Sequence, residues 1–549
     1  MRRYKDADPK DSVSRAQEIL RGVGLDMRPT LADHGASIFS ARLVDAATGF
    51  ATNGKGASAD LCLASAYGEA MERLQNGYAF DAGCEARTEA HAGFVVAPDE
   101  AARKVSLDEA LDELPFLADD LRLSFGKADG ACGADEALSY WRARVRGSFT
   151  LVPFFRPRDG RLVYLPEQLV SSICGSNGLC AGNTGPEALC EGMGELAERY
   201  AKHRILAKKL CPPQVPRSFI EQSCPALAQT MDEIAGIWPQ LRLRVFDASL
   251  GCGLPVVGVL ALDGARGAYR VKFGAHPSFS VALERCLTEF FQGMDAGDED
   301  ALAAYFTDFD ACSRARAGMP ESWPDMMTMD VGPVHRGLFC GAPDWEFFPW
   351  GAGDDLSNEA ALPRLAGVLA CTGGDVYVRD AGYLGFPAYR VYVPGVSCVS
   401  AVHGPAMDKA TRLQDAFGRL VSCAVFSVER GDAAGAAAYL RQTGVQRFLA
   451  AAQEIELRAE GVPADVRDEL LSAVFGSAVA AYAARWRADD VGASLMEARD
   501  AVAAAFTSGR RVQAQKTRED ACDALRCTLK DRMRGYFPDQ ARLAELPWD

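Results

Sequence analysis

The spacing of apolar positions near the amino terminus predicts a helix over residues 12–23. One face of this helix is apolar and consists of Val13, Ala16, Ile19 and Leu20. Ser12 is its candidate N-cap, and Gly22 and Gly24 end the pattern. We therefore expect the chain to open with an amphipathic helix that buries one face.

Four later segments are rich in β-branched or aromatic residues and are bounded by Gly, Pro or Asp, which is typical of strands. They are residues 37–44, 242–246, 255–262 and 388–393. Helical patterns alternate with these segments. The sequence therefore predicts a domain of the α/β class over residues 1–400.

The pattern changes beyond about residue 405, where Ala, Arg, Leu and Glu dominate. Apolar residues recur with helical spacing over 445–457 and 466–487. We predict a separate all-α domain over residues 401–549 that mediates contacts. A tetratricopeptide-like array is one interpretation, although no consensus of about 34 residues recurs along it.

Composition narrows the class of protein. The 549 residues carry a formal charge of -15, which disfavours a protein that grips nucleic acid through clustered basic side chains. The 17 cysteines are odd in number and form no C-x-x-C pair, which favours free thiols in a reducing compartment. No leader and no membrane-spanning stretch is evident, so we expect a cytoplasmic enzyme.

The chain contains a long-range repeat. The segments GASADLCLASAYGEAMER at 56–73 and GNTGPEALCEGMGELAER at 182–199 share Gly, eleven residues, and then Gly-Glu-x-x-Glu-Arg. Each matched residue lies 126 positions from its counterpart. A single E-x-x-E-R is common on solvated, salt-bridged helix faces, but its duplication at constant spacing is harder to produce by chance.

Each copy places two carboxylates on one helix face, because residues three apart in a helix are neighbours. The pairs are Glu69 with Glu72 and Glu195 with Glu198. Four converging carboxylates repel one another unless cations lie between them, and Mg²⁺ commonly joins carboxylates to nucleotide phosphates. The repeat therefore predicts a site for magnesium ions and ATP.

A glycine-rich stretch precedes each helix: residues 53–56, Asn-Gly-Lys-Gly, and residues 176–184. Glycines let backbone amides approach a phosphate closely, and a helix amino terminus adds a favourable dipole. An ordinary turn explains such a stretch equally well. Neither stretch matches a P-loop or a dinucleotide fingerprint.

Three segments in this order resemble the YcaO superfamily: NGKG with ASAYGEAMER, SNGLCAGNT with GELAER, and FGAHPSFSVALERCLTEFFQG at 273–293. The resemblance covers about residues 1–400. The opening KDADPKDS and the segment FGAHPSF are most similar to the stand-alone bacterial members. The resemblance implies a YcaO-type α+β fold that binds ATP and Mg²⁺ differently from kinases.

The resemblance also implies ligand residues. Those for magnesium are Glu69, Glu72, Glu187, Glu195 and Glu198. Those for the nucleotide are Lys5, Ser12, Ser65, Glu72, Cys180, Asn183, Glu187, Arg199 and Arg285. Cys180 stands where a small Ala or Ser is usual in the family, so a contact there would come from its backbone.

Other interpretations of some of these residues stay open. Without the resemblance, Lys5 belongs to a tail and Ser12 is a helix cap. Arg285 shares a helical face with Glu289 and Gln292, which fits a ligand contact or a surface ion-pair ladder. Neither the histidines nor the cysteines are marked as nucleophile or base, so no catalytic residue is assigned.

The activity that the resemblance implies is ATP-dependent phosphorylation of a backbone amide oxygen. The stand-alone members act as accessory factors in β-methylthiolation of a small-subunit ribosomal protein. The resemblance therefore implies a peptide or protein substrate and a methylthiotransferase or sulfur-transfer partner. It also implies a homodimer. A peptide-modifying enzyme that forms azolines or thioamides is an alternative, although the Pro-rich tail of azoline-forming members is missing. A non-catalytic nucleotide- or peptide-binding platform is the other alternative.

Overall fold

The computed structural model describes residues 4–78, 92–124, 134–144, 147–292, 306–309, 334–335, 337–350, 356–398 and 511–548. The chain divides into two compact units. The first comprises Met1–Met319, Met326–Ala401 and Arg518–Asp549, and the second comprises Pro320–Asp325 and Val402–Thr517. The predicted helices over 445–457 and 466–487 lie outside the described residues, so the all-α domain and its boundary at residue 401 stay predictions.

The described part of the chain contains thirteen helices and thirteen strands. Helices α1 to α13 are Pro9–Gly22, Ala59–Gln75, Leu107–Glu113, Phe116–Leu123, Ala134–Arg144, Glu167–Cys174, Gly185–Ala207, Arg217–Ser223, Pro225–Ile237, Phe279–Glu289, Gly337–Cys340, Asn358–Thr372 and Arg511–Tyr536. Strands β1 to β13 are Met27–Asp33, Phe39–Asp45, Ala51–Gly56, Lys104–Val105, Phe149–Arg156, Arg161–Pro166, Leu179–Ala181, Leu241–Asp247, Val256–Asp263, Ala268–Ala275, Thr307–Asp308, Tyr377–Asp380 and Ala388–Tyr392. A short 3₁₀ helix follows at Gln540–Glu545.

The strands form three antiparallel sheets. Their orders are β1-β2-β3, then β4-β5-β12-β13-β7 with β6 paired to β5, and then β11-β10-β9-β8. Helices α1 and α2 pack on the first sheet, α3 to α6 on the second, and α9 and α10 on the third. The class is therefore mixed α/β, as predicted for residues 1–400.

The core of the first sheet includes α13, the last described α-helix. Leu20 of α1, Leu43 of β2 and Met71 of α2 are fully buried there, and Leu525 and Leu529 of α13 join the same cluster. Burying a leucine side chain contributes about 1.5–3 kcal/mol. Residues more than 120 positions after β13 thus stabilise the layer that carries α2.

The predicted amino-terminal helix is present, but it begins earlier than expected. α1 starts at Pro9, and the N-cap is Asp8, whose side chain accepts a hydrogen bond from the backbone N–H of Lys10. Pro at the first helical position, preceded by an Asp that caps the helix, is a strong signal for a helix start. This signal, and not Ser12, sets where α1 begins. Ser12 lies inside the helix, where its hydroxyl is available for another contact.

The glycines of residues 53–56 lie in strand β3, so the ordinary turn that was the alternative explanation for this stretch is absent. A Cβ at Gly54 would come within 2.6 Å of the backbone nitrogen of Ala66, and one at Gly56 within 2.6 Å of that of Cys62. The glycines therefore allow β3 to lie directly on α2. Because side chains alternate along a strand, Asn53 and Lys55 lie on the face of β3 opposite to the one that packs on α2.

Helix α7 lies where the second and third sheets meet. It contacts β7 and β13 of the second sheet, β10 of the third, and α12. Helix α2 also contacts β7 and β13, so the same two strands support both repeated helices. Within the described ranges, every helix is too short or too polar to cross a lipid bilayer. Every described cysteine has a free thiol.

Candidate active site

A cavity of about 340 Å³ is lined by both repeated helices, together with β3, β10, α10 and residues before and within α1. All four glutamates of the repeat line it. In total eight glutamates and five lysine or arginine side chains of the described residues line it. The cavity is therefore highly charged, and its carboxylates outnumber its cations.

In the first copy, one arginine is shared by both glutamates. Nη2 of Arg73 lies 3.4 Å from Oε1 of Glu69, and its Nε lies 3.4 Å from Oε1 of Glu72. The backbone N–H of Asn53 on β3 also donates to Oε2 of Glu69 over 3.2 Å. The close packing of β3 on α2 thus brings a backbone donor to the carboxylate.

In the second copy, Arg199 pairs with Glu195 across one helical turn, with Nη2 2.5 Å from Oε1. Glu198 lines the same cavity. Helix α7 contributes two further carboxylates, Glu187 and Glu191, which lie two turns and one turn before Glu195 and also line the cavity. The second copy therefore presents a longer acidic face than the first.

The two copies meet electrostatically at Glu72. Burial raises the pKa of Glu72 well above its ordinary value. The negative charges of Glu195 and Glu69 raise this pKa further, whereas Arg73 and Arg199 lower it. A carboxyl group on α2 thus responds to a carboxylate on α7, which means that the repeated pairs converge as predicted from their spacing.

The amino-terminal segment docks onto the start of α7. Nζ of Lys5 lies 3.3 Å from Oε1 of Glu187, and the backbone N–H of Asp6 donates to Oε2 of Glu187 over 2.9 Å. The hydroxyl of Ser12 donates to Oδ1 of Asn183 over 2.7 Å, and the amide of Asn183 donates to both oxygens of Glu187. Lys5 and Ser12 are thus held at the cavity.

Helix α10 supplies the opposite wall. Arg285 forms an ion pair with Glu191 and donates from Nη1 to the backbone oxygen of Ala275 over 3.2 Å. Lys55 forms an ion pair with Glu289. Burial lowers the pKa of Lys55, although Glu198 opposes this shift, and burial also lowers the pKa of Arg285.

Twelve residues were predicted from the sequence to bind metal or nucleotide, and the structure places eleven of them in the cavity lining. Ser65 lies there on α2. Cys180 is the exception, because its side chain is fully buried in β7 and its thiol faces the backbone oxygen of Tyr389 at 3.5 Å. A Cβ at Gly192 of α7 would meet Sγ of Cys180 at 2.8 Å, so this thiol fills a gap between strand and helix.

Sequence reasoning assigned no site role to several lining residues. They are Asn53, Lys55, Glu191 and Glu284. Glu191 was detectable, because it lies four residues before Glu195 on the same helix face. His276 also lines the cavity, and burial lowers its pKa to about 4, so it is neutral near pH 7. Its Nδ1 accepts a hydrogen bond from the backbone N–H of Ser278.

The side chains present fit a magnesium–nucleotide group by chemistry. No three His, Cys, Asp or Glu side chains in the described ranges are already arranged to hold a metal ion. Basic side chains pair with most of the cavity's carboxylates. Oxygen donors in excess over cations suit Mg²⁺. Two buried lining atoms, Oδ1 of Asn53 and Nη1 of Arg73, have no hydrogen-bond partner among the described residues. Oδ1 of Asn53 can accept a hydrogen bond from a ligand, and Nη1 of Arg73 can donate one to a ligand.

Comparison with known proteins gives a family match. The model of the YcaO cyclodehydratase family, described as ATP- and Mg²⁺-binding, matches residues 53–397. This range contains both copies of the repeat and β13. It covers more than half of the chain.

Two similar proteins are bacterial. The ribosomal protein S12 methylthiotransferase accessory factor YcaO of Escherichia coli is 30% identical over 395 residues, which is 72% of this chain and 65% of that protein. An uncharacterized protein of Haemophilus influenzae is 30% identical over 399 residues, again 72% of this chain and 65% of the relative. This chain thus spans less than two thirds of the length of either relative.

Among solved structures, YcaO from Methanopyrus kandleri bound with AMPPCP and Mg²⁺ is 19% identical. The comparison covers 74% of this chain and 94% of that one, with a TM-score of 0.42. The match over residues 53–397 is what decides the family: this chain belongs to the YcaO family, which binds ATP and Mg²⁺.

Proposed function

We propose that this chain binds ATP and Mg²⁺ in the carboxylate-rich cavity and uses the ATP to phosphorylate a peptide backbone amide oxygen. The observation that carries the proposal is the meeting of both E-x-x-E-R helices at one cavity, where carboxylates outnumber cations. The family match supports the same assignment.

In this proposal the carboxylates are the metal ligands. They are Glu69, Glu72, Glu187, Glu195 and Glu198. Bound Mg²⁺ would neutralise phosphate charge. Lys5, Arg199 and Arg285 orient the phosphates, and Ser12, Ser65 and Asn183 position the rest of the nucleotide. Cys180 contributes only through its backbone, since its thiol is buried away from the cavity.

The reaction divides into three bond changes. A nucleophile adds to the amide carbon, and the negative charge moves to the amide oxygen. That oxygen attacks the γ-phosphorus, and ADP leaves. The carbon–oxygen bond then breaks, and inorganic phosphate departs. The chain's basic side chains stabilise charge on the transferred group, so positioning and electrostatics account for the rate.

The similarity to the Escherichia coli accessory factor supports a role beside a methylthiotransferase that acts on ribosomal protein S12. We accordingly propose S12 as the substrate, a cytoplasmic homodimer as the working form, and partner contacts by a helical region after residue 401. The free thiols of the described cysteines agree with a reducing compartment.

Calorimetry with the full chain tests the nucleotide site. ATP is titrated with and without Mg²⁺ into the wild type and into Glu69→Gln/Glu198→Gln, which keeps shape but removes one carboxylate from each copy. The matched control is Glu221→Gln/Glu233→Gln, two exposed glutamates on α8 and α9. We expect Mg²⁺-dependent binding in the wild type and control only. Equal binding by all three proteins would refute the site.

An isotope experiment tests the chemistry. Turnover with S12, the methylthiotransferase and Mg-ATP is run in ¹⁸O-labelled water, and the released phosphate is examined by mass spectrometry. Transfer from the amide oxygen gives phosphate without ¹⁸O. Phosphate that carries one ¹⁸O would show simple hydrolysis of ATP by water and would rule out amide phosphorylation.

A further inference from the structure

A second concave surface lies beside the far end of α7. It is an open groove of about 800 Å³ between α7 and α12, closed at one end by the turn between β8 and β9. Its size is within the range of about 300–1,000 Å³ that is typical of ligand sites. None of its lining residues belongs to the cavity described above.

The groove is basic. Its charged lining side chains are Arg204, Lys208 and Arg364, and no carboxylate of the described residues lines it. The guanidinium of Arg204 lies 5.7 Å from the ring centre of Tyr200, and none of the three cations forms an ion pair with a carboxylate in the described ranges. Although the whole chain has a formal charge of -15, three cations without a carboxylate partner among the described residues lie together in this groove.

Helix electrostatics do not explain all of these cations. Arg204 lies in the last turn of α7 and Lys208 is its C-cap, where the helix dipole favours positive charge. Arg364 lies in the amino-terminal half of α12, where the dipole gives a cation no such benefit. The helix dipole therefore does not account for the cation at Arg364, which is exposed and lines the same groove as Arg204.

The groove also has room along its floor. A Cβ at Gly367 of α12 would meet no atom within 4 Å. Tyr200, Arg204 and Lys208 are spaced four residues apart, so they form one row along α7. An extended segment lying beside this row can meet the cations in turn.

We propose that this groove binds an acidic segment of the peptide or protein substrate. The inference deepens the proposed function, on which it rests, by giving the substrate a chemical class. The groove begins at Tyr200, one residue after Arg199, which lines the nucleotide cavity on the same helix. From Tyr200 to Lys208 the helix rises roughly 12 Å, so a segment held here lies within reach of the nucleotide cavity.

A peptide fits better than nucleic acid. Three cations neutralise few phosphates, and the large negative charge of the whole chain repels a longer polyanion. Side-chain carboxylates spaced along an extended peptide suit isolated Arg and Lys groups, especially since Arg binds a carboxylate through two parallel hydrogen bonds.

Fluorescence anisotropy without nucleotide tests the proposal. The probe is a fluorescein-labelled peptide of alternating Asp and Gly, and its control has Asn in place of Asp. The groove variant is Arg204→Glu/Lys208→Glu/Arg364→Glu. The charge-matched control is Lys104→Glu/Arg161→Glu/Arg242→Glu. It changes three exposed cations on β4, β6 and β8 that do not line the groove. Thermal unfolding midpoints verify that both variants fold.

We expect the Asp peptide to bind the wild type and the control variant, and to bind the groove variant at least tenfold more weakly. The Asn peptide is expected to bind all three weakly. Equal loss in both variants, or equal binding of the two peptides, overturns the proposal. Because nucleotide is absent, failure of ATP binding would leave this result unaffected.

A second measurement needs no variant. Cys252 and Cys371 line the groove and are exposed, and Cys340 is exposed outside it. The Asp peptide is expected to slow alkylation of Cys252 and Cys371 by N-ethylmaleimide, and to leave Cys340 unaffected. Protection of all three thiols or of none contradicts the proposal. Displacement of the peptide by oligo-dT, or a dimer that dissociates only in the groove variant, would assign the groove to another occupant.

Discussion

The two copies of the repeat differ in what surrounds the same motif. In both, the first glycine allows a close helix approach: a Cβ at Gly56 would lie 2.6 Å from the backbone nitrogen of Cys62, and one at Gly182 would lie 2.7 Å from that of Ala188. These contacts are equivalent, since each pair is six residues apart. The duplicated spacing therefore preserves backbone packing as well as carboxylates.

The copies diverge further along the helix faces. The positions of Glu187 and Glu191 on α7 correspond to Leu61 and Ser65 on α2, and all four line the cavity. The α7 face thus carries four carboxylates where the α2 face carries two. We infer that α7 is the main metal-binding side and that the smaller polar surface of α2 leaves space for the nucleotide.

Removing the carboxylates of one copy at a time is the strongest test of this asymmetry. Glu195→Gln/Glu198→Gln is expected to weaken Mg²⁺-dependent ATP binding by roughly 100-fold or more, since even outer-shell changes at metal sites cost about 10–100-fold. Glu69→Gln/Glu72→Gln is expected to cost less. Calorimetry with Mg-ATP measures both. Equal losses would show that the copies share the metal ions evenly, and a reversed order would make α2 the main metal-binding side.

The shared glycine contact predicts equal losses of stability in the two copies. Gly56→Ala and Gly182→Ala each force a backbone contact apart, which costs about 1–3 kcal/mol of unfolding free energy. Gly68→Ala is the control, since a Cβ there meets nothing within 4 Å and alanine favours a helix. Denaturant titration measures all three. A loss in one copy only would mean that the contacts are not equivalent.

The extra length of α7 predicts a pH effect that α2 lacks. Burial lowers the pKa of His203 on α7 to about 4, and Arg204 adds to the shift. The unfolded chain binds this proton near pH 6.5, so the stabilisation is complete above that pH and is lost as the pH falls towards 4.

We expect His203 to account for about 1–2 kcal/mol of the stability lost between pH 7.5 and pH 5.0. Thermal unfolding of the wild type and of His203→Asn at both pH values measures this contribution. The variant is expected to lose less stability on acidification. An identical loss in both proteins would mean that another group titrates.

The smallest effect concerns Glu191, which pairs with Arg285. Glu191→Gln releases the charge of Arg285, so binding of ATP without Mg²⁺ is expected to strengthen by roughly twofold to fivefold, as for a partly exposed ion pair of about 0.2–1 kcal/mol. Ser65→Ala, at the corresponding position of α2, serves as the control. Weaker Mg-ATP binding by Glu191→Gln would instead make Glu191 a sixth metal ligand.

The sequence predicted the parts of the site that depend on spacing. Glu69 and Glu72, like Glu195 and Glu198, had to share a helix face, and the repeat indicated that the faces meet. Lys55 was missed as a site residue because its glycine neighbours suggested a backbone contact to phosphate or a turn, whereas they allow a strand to lie on a helix. Whether a residue such as Cys180 faces a cavity or a core depends on tertiary packing, and residue spacing does not contain that information.

The sequence predicted the fold class better than it predicted which elements pack against each other. Alternating strand and helix patterns gave the mixed α/β class and four of the strands to within two residues. No pattern noted in the sequence identified α13 or the partner against which it packs. Leu525 pairs in the core with residues nearly the whole chain away, and an amphipathic pattern specifies a face without specifying a neighbour.

That distant pairing has a consequence during synthesis. The core beneath α2 needs Leu525 and Leu529, which leave the ribosome long after Cys398 at the end of the preceding described segment. At about 5–20 residues per second, the intervening chain takes roughly 6–25 s to appear. For that interval the nascent amino-terminal layer exposes apolar surface, and this is when a chaperone would have the most to bind.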